Sequence, residues 1–212
     1  MKLREAETKI GKRNRRMSEA DIFRNHKRAW LMMQHCGLRL SEVWSLRIEN
    51  ILMDQGAVFI PAEIDFDGGL DKDSKPFRIT VNAKSGVDEF CGIGTAAMDF
   101  LRWDLGERGL TEGWFLARPD GSNAFKTAAA LGKAIERHQK ACGVYGKAKR
   151  CHGTRVSLAT NMSKTEGGIY MAQQQLRHKS VTTTQKSYTA ETPKEVRSAL
   201  DEVSKEYAQT LN

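Results

Sequence analysis

The segment from Cys151 to Ala190, CHGTRVSLATNMSKTEGGIYMAQQQLRHKSVTTTQKSYTA, leaves a folding chain few options. His152 and Arg155 stand three apart and share one face if the segment is helical. VSLATNM then has the apolar spacing of a buried helix, Gly167-Gly168 breaks it, and IYMAQQQL starts a second short helix. Arg177-His178 follows at once, and the polar run SVTTTQKS leads to a lone Tyr188 ten positions beyond His178. Two histidines, an arginine and a tyrosine thus fall in one segment rich in helix breaks.

Those residue types have complementary chemistry. Histidine titrates near neutrality and can give or take a proton. Arginine presents a rigid fork of donors suited to phosphate oxygens. A tyrosine hydroxyl is a poor nucleophile unless nearby cations stabilise the phenolate or a base takes its proton. Cations around it serve both needs when the electrophile is a phosphodiester, because they also stabilise charge building on the phosphate oxygens. That arrangement demands no metal and no cofactor.

The rest of the chain is consistent with an anionic partner. The formal net charge is +8 and the isoelectric point about 9.4. Residues 1–16 hold seven Lys/Arg against Glu5 and Glu7, a basic arm that is either a solvated tail or a tracker of DNA phosphates, with Lys12, Arg13, Arg15 and Arg16 as its candidate contacts. Cys36, Cys91, Cys142 and Cys151 form no CxxC pair, which reads as reduced thiols in a cytoplasmic protein. Cys151 beside His152 has no second close ligand pair to make a zinc site. No apolar run is long enough to span a membrane.

Ser18 with Asp21 predicts a capped helix to about His35, ended by Gly37. In GLRLSEVWSLRIENI, Ser41 is the expected cap of a short helix, leaving Arg39 in the turn just before its N-terminus, where backbone N–H groups also favour an anion. GAVFIPAEI and FRITVNA have strand composition and flank DFDGGLDKDSKP, so one β-hairpin is expected with Lys72 and Lys75 at its tip or on the start of the return strand. Helices are expected from Thr95 to about Arg108 and over TAAALGKAIERHQKACG, with EGWFLARPDG between them as a short strand and turn. Lys147, Lys149 and Arg150 add basic charge to the linker before Cys151. A final helix over 192–211 is capped by Thr192 and Glu195 and carries the apolar stripe Val196, Leu200, Val203, Tyr207 and Leu211.

The set GLRLSE, a hairpin lysine, HGTR and LRHKSVTTTQKSY, in that order, resembles the tyrosine recombinase (phage integrase) family over roughly residues 20–190. The resemblance implies a mainly α catalytic domain with a small antiparallel β-sheet or hairpin, spanning 18–212 behind an arm of 1–17. It also implies a site. Arg39 and Arg155 would clamp the scissile phosphate, His178 would hydrogen-bond it, and His152 would assist proton transfer. Lys72, with Lys75 as runner-up, would protonate the leaving 5′-hydroxyl. Tyr188 would attack to form a 3′-phosphotyrosyl link, without cofactor or metal.

The departures from the family pattern are specific. Arg177 stands where members usually have glycine, a residue that permits a left-handed turn; the arginine either strains the turn or adds a phosphate contact. Thr154 and Val156 replace the leucine and second histidine usual in the HxxR motif. Ahead of the first helix there is too little chain for the family's separate DNA-binding domain, which implies a stand-alone catalytic domain or a fragment. The expected activity is site-specific DNA strand breakage and rejoining on double-stranded DNA, with protomers joined through helix 192–211, tetramers in the synapse and accessory factors as possible partners. The alternatives are a nicking–closing enzyme of the related topoisomerase type and a DNA-binding regulator or excision helper that no longer cleaves. Neither the target sequence nor the choice among integration, excision, inversion and dimer resolution is written in these residues.

Overall fold

Ser18 opens the first helix by accepting a hydrogen bond from the Asp21 N–H at 3.1 Å, while its hydroxyl donates to the Asp21 carboxylate at 2.6 Å. The helix, α1 (Glu19–His35), buries Ala29, Met32 and Met33 completely. In this computed structural model the described residues are 17–70, 76–83, 85–143, 150–165 and 167–178. They form six α-helices and five strands: α1, α2 (Leu40–Trp44), β1 (Ile51–Leu52), β2 (Ala57–Ile60), β3 (Glu63–Leu70), β4 (Pro76–Asn82), β5 (Glu89–Gly92), α3 (Thr95–Arg108), α4 (Ala128–Ala141), α5 (Arg150–Met162) and α6 (Gly168–Leu176). The expected mainly helical fold with a small antiparallel sheet is the observed one.

The β region differs from the single expected hairpin. β1, β2 and β5 form one antiparallel sheet, with Val58 paired to Ile51 on one side and Cys91 on the other. β3 and β4 form a separate ribbon, from Glu63–Asn82 at its root to Leu70–Pro76 at its far end, with a register shift between Asp67 and Gly69. GAVFIPAEI is therefore divided between two sheets, and DFDGGL, read as turn, is strand. Its polar, glycine-rich composition hid a strand that is fixed by its partner. The stretch EGWFLARPDG is not a strand either. It makes only isolated bridges (Arg47–Trp114, Ala117–Asn123), yet buries Phe115 and Leu116.

The core joins α1, α2, the three-stranded sheet, α3 and α4, with Met32, Leu38, Val43, Val58, Leu101 and Leu131 at its centre. Trp44 locks α2 to the loop before α4 by donating its indole N–H to the Phe125 carbonyl at 2.8 Å. A second, smaller cluster of Ala159, Ala172 and Leu176 holds α5 to α6. α5 also packs on α1, and α6 on β5. The meeting point of these elements is Gly37, at φ +67°, just beyond α1. A Cβ there would lie 2.7 Å from Leu176 Cδ2 and 3.0 Å from Leu158 Cδ2. Only glycine fits both the backbone and the space.

Candidate active site

Arg39 is itself the cap of α2. Glu42, three residues on, accepts from the Arg39 N–H at 2.6 Å and from its guanidinium at 2.6 Å. The carboxylate thus performs the capping expected of Ser41, and it ties the Arg39 head group to a rigid helix start. Burial pulls the Glu42 carboxyl upward, but the Arg177 charge and the hydrogen bonds and charge of Arg39 outweigh it and hold its pKa below the usual range.

Arg155 comes from the second turn of α5. It is buried, and its guanidinium donates to the carbonyls of Gly37 and, at 2.8 Å, of Leu176. One side chain therefore joins the turn leading to Arg39 to the last turn of α6. His152, one turn earlier on the same face of α5, is exposed. Gln175 adds a second tie, donating to the carbonyls of Cys36 (2.9 Å) and Gly92 (2.8 Å) and accepting from the Gly92 N–H at 2.9 Å.

α6 ends in a Schellman turn: the His178 N–H donates to the Gln173 carbonyl at 3.0 Å and the Arg177 N–H to that of Gln174 at 2.9 Å. Arg177 takes the left-handed position of that turn (φ 54°, ψ 49°), and among the described residues it is the sole non-glycine at positive φ. The conformation costs roughly 1–2 kcal/mol for a residue with a Cβ. Its side chain is only 3% exposed, with Nη2 2.5 Å from Glu42 Oε2 and Nε 3.2 Å from Glu89 Oε2. Arg177, expected to touch DNA, faces two protein carboxylates.

His178 sits beside this group, at an open groove of about 420 Å³ lined also by Glu89, Phe90, Gln173, Gln174 and Arg177. Burial, then the charges of Arg155, Arg39, His152 and Arg177, push the His178 imidazole down to about 4. At neutral pH it is an uncharged ring beside three arginines, able to donate one N–H to an anion. Among the described residues, no group of three His, Cys, Asp or Glu side chains is placed to hold a metal.

The structure brings Arg39, His152, Arg155 and His178 together from α2, α5 and the end of α6. Lys12, Arg13, Arg15, Arg16, Lys72, Lys75, Lys147, Lys149, Tyr188 and the helix expected over 192–211 lie outside the described residues, as does the side chain of Arg150, whose backbone opens α5. The sequence reading gave no role to Glu42, Glu89 or Gln175. The spacing of Glu42 from Arg39 carried a signal; Glu89 and Gln175 carried none, since tertiary packing alone brings them here.

A helical shell around a small antiparallel sheet, with two arginines and two histidines on one face, defines the catalytic-domain class of the tyrosine recombinases. The phage integrase family model matches residues 15–195, and the chain belongs to that family. Among solved structures, the fold is similar to the Tn1549 transposon integrase in complex with transposon right end DNA (15% identity, 86% of this chain and 60% of that one, TM-score 0.59). It is also similar to XerA recombinase (18%, 88% and 64%, TM-score 0.56). A third is XerH site-specific recombinase bound to difH substrate (20%, 87% and 48%, TM-score 0.54). At such identities the likeness is one of fold, and this chain spans less than two thirds of each. No curated protein sequence matches it.

Proposed function

We propose that this chain carries the strand-cutting and rejoining chemistry of a site-specific DNA recombinase. The observation that supports this most directly is the convergence of Arg39, Arg155, His152 and His178, with His178 held neutral within the field of the others. In the proposed step the Tyr188 oxygen attacks the scissile phosphorus and the bond to the 5′-oxygen breaks. The phenolic proton leaves with the help of His152, a lysine supplies a proton to the departing 5′-oxygen, and a 3′-phosphotyrosyl link remains. Arg39 and Arg155 neutralise the non-bridging oxygens, and His178 donates a hydrogen bond to one of them. A 5′-hydroxyl from another strand reverses the step, so bond energy is kept and no cofactor enters.

Lys72 and Lys75 were the expected proton donors. Both lie outside the described residues and fall in sequence between β3 and β4, whose pairing runs from Glu63–Asn82 to Leu70–Pro76. The topology favours a third lysine. Lys84, itself outside the described residues, stands in sequence between Ala83, whose N–H donates to the Ala62 carbonyl at 2.7 Å, and Ser85, on the connection that enters β5 and reaches Glu89. A duplex with sulfur in place of the leaving 5′-oxygen needs no proton donor. The lysine whose alanine variant is slow on oxygen and restored on sulfur is the donor, and restoration at Lys72 or Lys75 instead would overturn this choice.

The substrate in this reading is double-stranded DNA. The phosphate contacts proposed outside the site are Lys12, Arg13, Arg15, Arg16, Lys75, Lys147, Lys149 and Arg150, and binding by one protomer is correspondingly salt-sensitive. Assembly into a tetramer on paired sites, through the stripe of helix 192–211, belongs to the same proposal, as does a DNA-associated, cytoplasmic setting. The deciding experiment is covalent trapping on nicked duplexes tiled from the DNA flanking its own gene, in the presence of chelator. An adduct that maps to Tyr188 and is absent from Tyr188→Phe is the expected result. Binding by both proteins with no adduct from either would instead make this a non-cleaving DNA-binding regulator.

A further inference from the structure

Arg177 occupies a backbone position that glycine would fill without strain, and its guanidinium is turned inward onto two carboxylates. Those carboxylates also face Arg39: Glu42 at 2.6 Å and Glu89 at 4.0 Å from its Nη1. The two contacts of Glu89 differ from those of Glu42. Its Oε2 is buried and makes no aligned hydrogen bond among the described residues, so it is held between Arg39 and Arg177 by charge without directional lock. Arg39 keeps a side chain 22% exposed, against 3% for Arg177.

We infer that Arg177 is a positioning residue, the standing counter-cation of Glu42 and Glu89 that leaves the Arg39 fork available to a phosphate. The inference rests on the recombinase reading for the identity of that phosphate. With Arg39 as their sole close partner, two carboxylates would impose a net negative charge at the point where the phosphodiester must enter. Adding Arg177 makes the four-residue group neutral, and the Arg155 charge beside it then sets a field that attracts an anion, with the neutral His178 ring as a further N–H donor. Removing Arg177 frees Glu89 to close onto Arg39, and a carboxylate there competes with the phosphate for the same donors. On this account it is the Arg177 head group, not its backbone, that the site requires.

The test compares wild type, Arg177→Gly, Glu89→Gln and the double variant. Glycine suits the left-handed turn, so loss of the turn is not the expected failure, and a thermal melt of each protein checks the fold. Two rates are read: phenylglyoxal modification of Arg39 in the DNA-free protein, followed by peptide mass, and adduct formation on saturating nicked duplex. In Arg177→Gly, Arg39 labelling slows and adduct formation falls about tenfold or more; in the double variant both return to within about threefold of wild type. A residue that merely packs, or that touches the phosphate itself, gives no such rescue by Glu89→Gln. An unchanged Arg177→Gly, or a double variant as slow as the single one, overturns the inference. If wild type forms no adduct on any duplex, the recombinase reading falls, and the labelling of Arg39 still decides whether Arg177 governs its availability.

Discussion

Two buried arginine–carboxylate clusters sit among the described residues, and only one of them is poised for an outside ligand. In the first, Arg28 of α1 reaches Asp104 of α3 through Nε at 2.9 and 3.0 Å and Nη2 at 2.7 Å, and donates to Asn25 at 3.1 Å. Arg108 joins the same carboxylate at 3.0 Å, donates to the Phe115 carbonyl at 2.9 Å and lies over the Phe115 ring. Every charged side chain there is 15% exposed or less, and the contacts end on protein. In the second, Arg39 is held on one edge by Glu42 and open on the other, and a neutral imidazole stands nearby. Burial of an arginine is therefore no sign of function. The useful sign is a guanidinium that is oriented by protein on one side and unfinished on the other.

The comparison can be broken by substitution. Arg39→Ala should reduce adduct formation by about 10⁴-fold, over 5 kcal/mol of transition-state stabilisation, with a smaller loss of stability than Asp104→Ala because Arg177 still faces Glu42 and Glu89. An equal loss of stability would erase the distinction between the clusters. Asp104→Ala should do the reverse: it strands two buried guanidinium groups and costs about 3–5 kcal/mol by urea unfolding, while activity per folded molecule is kept. Gly37→Ala touches both worlds. Its positive φ and the crowding by Leu176 predict a loss of about 1–3 kcal/mol, together with slower adduct formation, because the Gly37 carbonyl holds Arg155.

The smallest effect concerns protons. Because the folded pKa of His178 lies near 4, below its ordinary value near 6.5, the unfolded chain binds the proton more readily between those limits. Its contribution to stability is complete above about pH 6.5 and is lost as pH falls toward 4. An imidazole NMR titration of the DNA-free protein should place this ring near 4, and a titration near 6.5 would remove the electrostatic picture of the site. Bound phosphate should raise the value, since an adjacent anion favours imidazolium.

The sequence exposed what local chemistry controls. The Ser18 cap, the Gly167 break between α5 and α6 and the i, i+3 pair of His152 and Arg155 follow from spacing and backbone preference, and the structure contains each of them. The two-sheet arrangement was not, because β1 has two residues and β5 reads EFCG; such strands exist by virtue of their partners. The orientation of Arg177 was also hidden. As a charged residue flanking a histidine it reads as a surface contact, and only the folded positions of Glu42 and Glu89, 135 and 88 residues earlier in the chain, turn it inward.

The Arg155 bridge has a consequence for how the molecule is made. Its two carbonyl partners lie 118 and 21 positions away, one near the start of the chain and the other on the last described helix. During synthesis the early helices and sheet emerge first, yet the fixed pair of arginines cannot form until α6 has left the ribosome and docked. In the proposed recombinase, a half-made chain therefore lacks an assembled phosphate clamp. The long-range bridge ties assembly of the site to the docking of α6.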